Sequence, residues 1–135
     1  MSKILLLDDD RSYRGIIERV LLSSYPHAIT SVGTEAQALE ELSKWDFDLV
    51  LLDLYIDGRR CWSTLKMAVN HPGDPIAIVF SCEDTRENVE YALSHGAYAF
   101  LSKPFEFVRL KKTIDSALNE KIKGRPSEPE SAGRQ

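Results

Sequence analysis

The sequence is poor in the features that mark several common protein classes. It has 2 cysteines, Cys61 and Cys82, in 135 residues. That is too few for a disulfide scaffold, and their spacing suits no thiolate metal site, so both read as thiols of a reducing compartment. No apolar stretch approaches the roughly 20 residues needed to span a bilayer. The first apolar run, Ile4–Leu7, is four residues long, far short of a signal-peptide core. Basic residues are in deficit. The 17 Lys+Arg against 21 Asp+Glu give a formal charge of −4, which argues against a nucleic-acid binder that works by neutralising phosphates. These absences lead us to expect a soluble, cytoplasmic protein with no direct nucleic-acid or membrane contact.

What is present is a regular alternation. The length suits one domain, since single cores typically run to about 100–200 residues. Five short apolar runs, Ile4–Leu7, Ala28–Val32, Leu49–Leu52, Ile76–Phe80 and Tyr98–Leu101, are each four or five residues long, which favours strands over buried helices. Between them the spacing becomes helical. Tyr13, Ile16, Ile17, Val20 and Leu21 form one stripe. Ala36, Leu39 and Leu42 make a weaker one, as do Leu65 and Val69. Val89, Ala92 and Leu93 mark a fourth helix stopped by Gly96, and Phe107, Leu110, Ile114 and Leu118 a fifth, to about Ile122. Strands alternating with helices predict right-handed crossovers and an α/β three-layer fold with a parallel sheet. We expect one domain over residues 1–123, with 124–135 a disordered tail or truncated linker, because that stretch has no periodicity and almost no apolar content.

The chemistry lies in what ends the strands. The first runs into Asp8-Asp9-Asp10, the third into Asp53, the fourth into Ser81 and the fifth into Ser102-Lys103-Pro104. In a parallel sheet these groups share one edge, the edge at which such sheets bind ligands. Two carboxylates about 4 Å apart repel by about 4 kcal/mol at the effective dielectric of a protein surface. A hard cation with oxygen ligands relieves that repulsion, and Mg²⁺ suits one or two carboxylates plus waters and a phosphate. A carboxylate beside such an ion and a Lys is well placed as a nucleophile toward phosphorus. Asp10 has a plainer role, as N-cap of the first helix.

The order Asp-Asp, Asp, Ser/Thr, Lys-Pro at the ends of strands one, three, four and five resembles the receiver domains of bacterial response regulators, the CheY-like domains of two-component signalling. Intervals of 45 residues from Asp8 to Asp53, 28 to Ser81 and 22 to Lys103 suit that family. The resemblance covers roughly residues 2–122. It implies a flavodoxin-like, doubly wound sheet of strand order 2-1-3-4-5. It implies Asp53 as the phosphoacceptor, with Mg²⁺ (or Mn²⁺) held by Asp8, Asp9, Asp53 and the backbone carbonyl of Tyr55. Ser81 would bond a phosphoryl oxygen, Lys103 would pair with the phosphoryl group, and Lys103-Pro104 is similar to a family peptide that is usually cis. Ser81 and Phe100 would form the switch, and Tyr55 and Glu83 fall where side chains tune phosphoryl loss. The partner implied is a histidine kinase or phosphotransfer protein, with an unknown output domain or protein. The changing surface would be residues 84–122, which could also serve a homodimer.

The sequence departs from the family pattern after Asp53. It reads Leu54-Tyr55-Ile56-Asp57-Gly58-Arg59-Arg60-Cys61, with Asp57 where Pro is usual and Arg60-Cys61 where Asp-Gly is usual. Two further readings follow. One is a receiver-like docking module that is not phosphorylated, supported by this altered loop. The other is a phosphatase of the haloacid dehalogenase type, since Asp8-Asp9-Asp10-Arg11-Ser12 fits its opening motif. It lacks the later acidic pair of that family and leaves Asp53 unexplained. The expectation is therefore a switch that is not an enzyme on a separate substrate and that promotes only its own phosphorylation and dephosphorylation.

Overall fold

The computed structural model describes residues 2–23, 27–104 and 107–122; the expected tail from Gly124 lies outside them. Among these described residues, seven strands and five helices follow one another. They are β1 (Ser2–Leu7), α1 (Arg11–Leu22), β2 (His27–Val32), α2 (Glu35–Lys44), β3 (Leu49–Asp53), β4 (Tyr55–Ile56), β5 (Arg59–Arg60), α3 (Trp62–Val69), β6 (Ile76–Ser81), α4 (Arg86–Ser94), β7 (Ala99–Ser102) and α5 (Phe107–Ile122). Five strands form one sheet in the order β2-β1-β3-β6-β7, with every pair parallel. Counting only these five, that is the expected order 2-1-3-4-5. No described helix is long and apolar enough to cross a membrane.

The strands are apolar on both faces because helices cover both. Leu5, Leu7, Val50, Leu52, Ala77 and Val79 face one layer with Ala38, Leu42, Leu65, Ala68 and Ala92 from α2, α3 and α4. The alternate residues Ile4, Leu6, Leu49, Leu51, Ile76, Ile78 and Phe80 face Ile17 and Leu21 of α1 and Leu110, Ile114 and Leu118 of α5. Burying each such leucine or isoleucine contributes about 1.5–3 kcal/mol against leaving it exposed. A sheet sealed in this way leaves its carboxyl edge as the natural place for polar groups.

Side-chain caps set the starts of α1, α2 and α4. Asp10 accepts from the Tyr13 N–H at 3.1 Å, the capping role anticipated for it. Thr34 and Thr85 cap α2 and α4 in the same way. Gly96 closes α4 at φ +105°, and a Cβ there would lie 2.8 Å from Val69 Cγ1, so glycine is required twice over. Across the gap between α3 and α4, the Trp62 ring lies 4.3 Å from that of Tyr91, which stacks on His95 at 3.9 Å.

Two stripes sit differently from expectation. On α2 it is Ala38 and Leu42 that are buried while Ala36 is exposed, because the helix turns its second alanine to the sheet. On α4 Leu93 is 46% exposed, and Asn88 takes the inward position beside Ala92. The Asn88 amide is satisfied there, donating to the Glu83 backbone carbonyl at 3.1 Å, so a polar group can occupy a core-facing turn without penalty.

The stretch after β3 is an ordered hairpin rather than an open loop. β4 and β5 pair antiparallel, with Tyr55 opposite Arg60 and Ile56 opposite Arg59. The two residues between them, Asp57 and Gly58, have φ of +53° and +75°. Positive φ at both central positions defines a type I′ turn, for which Asp-Gly is a favoured pair.

Candidate functional site

The carboxyl ends of β1, β3, β6 and β7 bring the polar groups together. Asp8, directly after β1, is fully buried, and Asp53, the last residue of β3, is 5% exposed. Asp9 is exposed beside them. One carboxylate oxygen from each of the three lies within 4.8 Å of the others. Lys103, one residue past β7, places Nζ 3.2 Å from Asp8 Oδ2 and 3.0 Å from Asp53 Oδ2. Its ammonium also sits 4.4 Å from the Tyr13 ring centre and 5.1 Å from that of Phe80. Those rings hold the cation against the carboxylates and keep water from it. The Lys103-Pro104 peptide is cis.

Backbone amides fix the carboxylates from the other side. Asp8 Oδ1 accepts from the Asp10 N–H at 3.0 Å, and Asp53 Oδ1 from the Tyr55 N–H at 3.3 Å. Asp9 Oδ2 accepts from the Asp57 N–H at the hairpin turn, at 3.4 Å. The Cys61 N–H donates to the Leu54 carbonyl at 2.8 Å. Ladder bonds alternate along an antiparallel pair, so the next pair, Tyr55 with Arg60, is a non-hydrogen-bonded one. The N–H and carbonyl of Tyr55 therefore point out of the hairpin, on the side where that N–H meets Asp53.

Three carboxylates and one ammonium leave a formal excess of two negative charges. Burial pushes the Asp53 carboxyl up, to about 7, against the opposing pull of Lys103 and with the help of Asp8. Burial alone would lower Lys103, but Asp53 and Asp8 overrule it and raise the ammonium above its ordinary value. Cys61, buried beneath the hairpin, is pushed up to about 12 by burial and by the nearby charges of Glu35 and Asp53. These residues fit a hard divalent cation: the donors are all oxygen, they converge within reach of one ion, and their excess charge matches it.

The remaining expected residues ring this centre. Ser81 ends β6 fully buried, its hydroxyl accepts from the Glu83 N–H at 2.9 Å, and its carbonyl accepts from the Lys103 N–H at 2.9 Å. Phe100, on β7 opposite Val79, is half-buried against the layer formed by α2, α3 and α4. It is not part of the acidic cluster. Tyr55 and Glu83 stand at the mouth, joined by a residue the sequence reading gave no role. Arg60 puts its guanidinium carbon 5.2 Å from the Tyr55 ring centre and Nη2 3.7 Å from Glu83 Oε1. Partial burial and Glu83 raise the Tyr55 phenol above its ordinary value, with Arg60 opposing. The signal for Arg60 lay in Asp57-Gly58: a two-residue turn there forces residue 60 back across from residue 55.

This fold and this site define a class, the receiver domains. Residues 4–115 match the response regulator receiver domain family. The chain belongs to that family. Its curated relatives include the transcriptional regulatory protein ZraR of Escherichia coli, 34% identical over 116 residues that make up 85% of this chain and 26% of ZraR. Protein PetR of Rhodobacter capsulatus is 30% identical over 115 residues, 85% of this chain and 48% of PetR. The chain thus spans half or less of the length of these relatives. Among solved structures, a CheY-like receiver domain protein from Methanospirillum hungatei superimposes with a TM-score of 0.84 at 23% identity, covering 91% of this chain and 98% of the other. The fold is the flavodoxin-like one of CheY.

Proposed function

We propose that Asp53 accepts a phosphoryl group from a histidine kinase or phosphotransfer protein and that its charge switches the surface formed by residues 84–122. The observation that carries this reading is Lys103 Nζ held within 3.2 Å of both Asp8 and Asp53, beside the three converging carboxylates. An Asp53 oxygen attacks phosphorus, the bond from phosphorus to the donor nitrogen breaks, and the electron pair leaves with the imidazole. A divalent cation, Mg²⁺ or Mn²⁺, held by Asp8, Asp9, Asp53 and the Tyr55 carbonyl, would supply charge neutralisation for this step. Lys103 exchanges its bond to Asp53 for one to a phosphoryl oxygen, and Ser81 donates to another. The added charge of about −1.5 to −2 draws Ser81 and the loop after it inward, and α4, β7 with Phe100, and α5 follow as a two-state surface. That surface serves an output domain or protein, or a second copy of the chain. The protein acts on no separate substrate.

The unphosphorylated docking module drew its support from the altered loop. That stretch is a regular hairpin whose turn N–H bonds to Asp9, which supports an intact acidic site and favours the phosphoacceptor reading. The test is phosphoryl uptake from acetyl phosphate with Mg²⁺, followed by mass spectrometry. The wild-type chain should gain one phosphoryl group and Asp53→Asn none. Equal uptake by the two would overturn the assignment.

A further inference from the structure

A cavity of about 690 Å³ opens between α3 and the last turn of α4, and none of the acidic cluster lines it. That volume falls within the range of small-molecule sites, roughly 300–1,000 Å³. The α3 wall has 8 residues and is about 12 Å long, too short to cradle a partner helix. One side of the cavity is aromatic. Trp62 lies 4.3 Å from Tyr91, and Tyr91 3.9 Å from His95, ring centre to ring centre. Leu65 and Val69 add aliphatic surface. The polar groups are few and of defined character. Among the described lining residues Lys66 alone carries a permanent charge, and no described carboxylate pairs with it. That ammonium would repel a cationic ligand, so these rings are no cage for a cation. His95 has Nδ1 2.8 Å from the Tyr91 carbonyl oxygen. A carbonyl can only accept, so Nδ1 carries the hydrogen and Nε2 of the neutral ring is left as an acceptor.

We infer that the cavity between α3 and α4 binds a small planar aromatic acid bearing a ring N–H, the chemistry of an indole carboxylate. Its ring system packs against Trp62 and Tyr91 in offset or edge-to-face contact. Its carboxylate bonds to the Lys66 ammonium, and its ring N–H donates to His95 Nε2. A neutral aromatic forfeits Lys66, and an aromatic acid without the N–H leaves Nε2 unpaired, so recognition draws on all three features. The binding does not depend on the phosphoacceptor reading, since no residue of the acidic cluster takes part. Its consequence does: α4 belongs to the surface proposed to switch and α3 does not. A ligand held by both helices would therefore bias that equilibrium through its different contacts in the two states.

The test titrates indole-3-acetate into the full, unphosphorylated chain and follows the tryptophan side chains by proton–nitrogen correlation NMR. The chain has 2 tryptophans. Trp45 lines a different cleft, so its indole N–H is an internal control. The Trp62 signal should shift along a saturating curve with a dissociation constant of about 1 mM, while Trp45 stays in place. Indole, which lacks the carboxylate, should bind at least about fivefold more weakly, and so should the probe to the Lys66→Gln chain. Lys66 is exposed, and an unchanged Trp45 signal shows that this variant keeps the fold. Benzofuran-3-acetate, with oxygen in place of the ring N–H, should bind at least about threefold more weakly. No Trp62 response at about ten times the expected constant would overturn the inference. So would equal binding by indole, by benzofuran-3-acetate or to the Lys66→Gln chain. A Trp62 signal that moves with protein concentration alone would assign the cavity to a second copy of the chain, and would overturn it as well.

Discussion

Replacing Asp53 with asparagine should stabilise the metal-free protein, and increasingly so as the pH rises. The wild-type carboxyl has an ordinary value of 3.8 and is raised to about 7 in the folded state. Between those values the folded chain holds a proton on Asp53 that the unfolded chain has released. Stability therefore falls with rising pH across that window and levels off above it. At 1.36 kcal/mol per pH unit the separation corresponds to an upper limit of about 4 kcal/mol, and relaxation around the buried group brings the expected loss to about 2–4 kcal/mol. Lys103 stays protonated in both states over the same range and adds no slope. Asparagine keeps the shape and an oxygen for Lys103, but no charge to desolvate. Urea unfolding in EDTA at pH 4, 5.5 and 7.5 measures the effect. The variant should gain on the wild type by most of that amount between the two extremes. A difference that stays flat from pH 4 to 7.5 would refute the claim that the buried carboxylate is strained without a cation.

Further outcomes follow from the same geometry. Mg²⁺ at 100 times its dissociation constant should stabilise the wild type by about 2.7 kcal/mol, and Asp9→Asn should weaken that gain in a thermal-shift titration. Lys103→Ala leaves Asp8 and Asp53 buried without their partner, and at neutral pH in EDTA it should cost about 3 kcal/mol, part of which Mg²⁺ restores. Gly96→Ala forces a side chain into a left-handed backbone against Val69 and should lose about 1–3 kcal/mol in urea unfolding. Of the two thiols, exposed Cys82 should react with a disulfide reagent within minutes at pH 8. Cys61, buried and raised to about 12, should react only on unfolding.

The sheet and the convergence of the acidic groups were legible because each depends on a strong local signal. Leu5, Leu6 and Leu7 run directly into Asp8, and Leu51 and Leu52 into Asp53, so burial ends where charge begins. Parallel pairing then brings distant strand ends to one edge. Helix faces read less well where polar residues pack inward. Asn88 takes a buried turn of α4 because Glu83 satisfies its amide, and that partner belongs to the preceding loop. The hairpin after β3 is hidden from a comparison with the family pattern, because Asp57 and Arg60-Cys61 stand where that pattern has Pro and Asp-Gly. The turn chemistry of Asp57-Gly58 was readable by itself, and it carries Arg60 to the mouth of the site.

The hydrogen bond from the Asp57 N–H to Asp9 gives the hairpin a thermodynamic stake in the occupancy of the site. An exposed turn amide ordinarily exchanges its hydrogen with solvent freely, but this one is bound to the carboxylate that a cation would also claim. Competition for Asp9 becomes competition for the turn, so filling the site must change the protection of a proton on the outer surface. The backbone of an exposed two-residue turn is in this way a local gauge of the charge balance among the clustered aspartates.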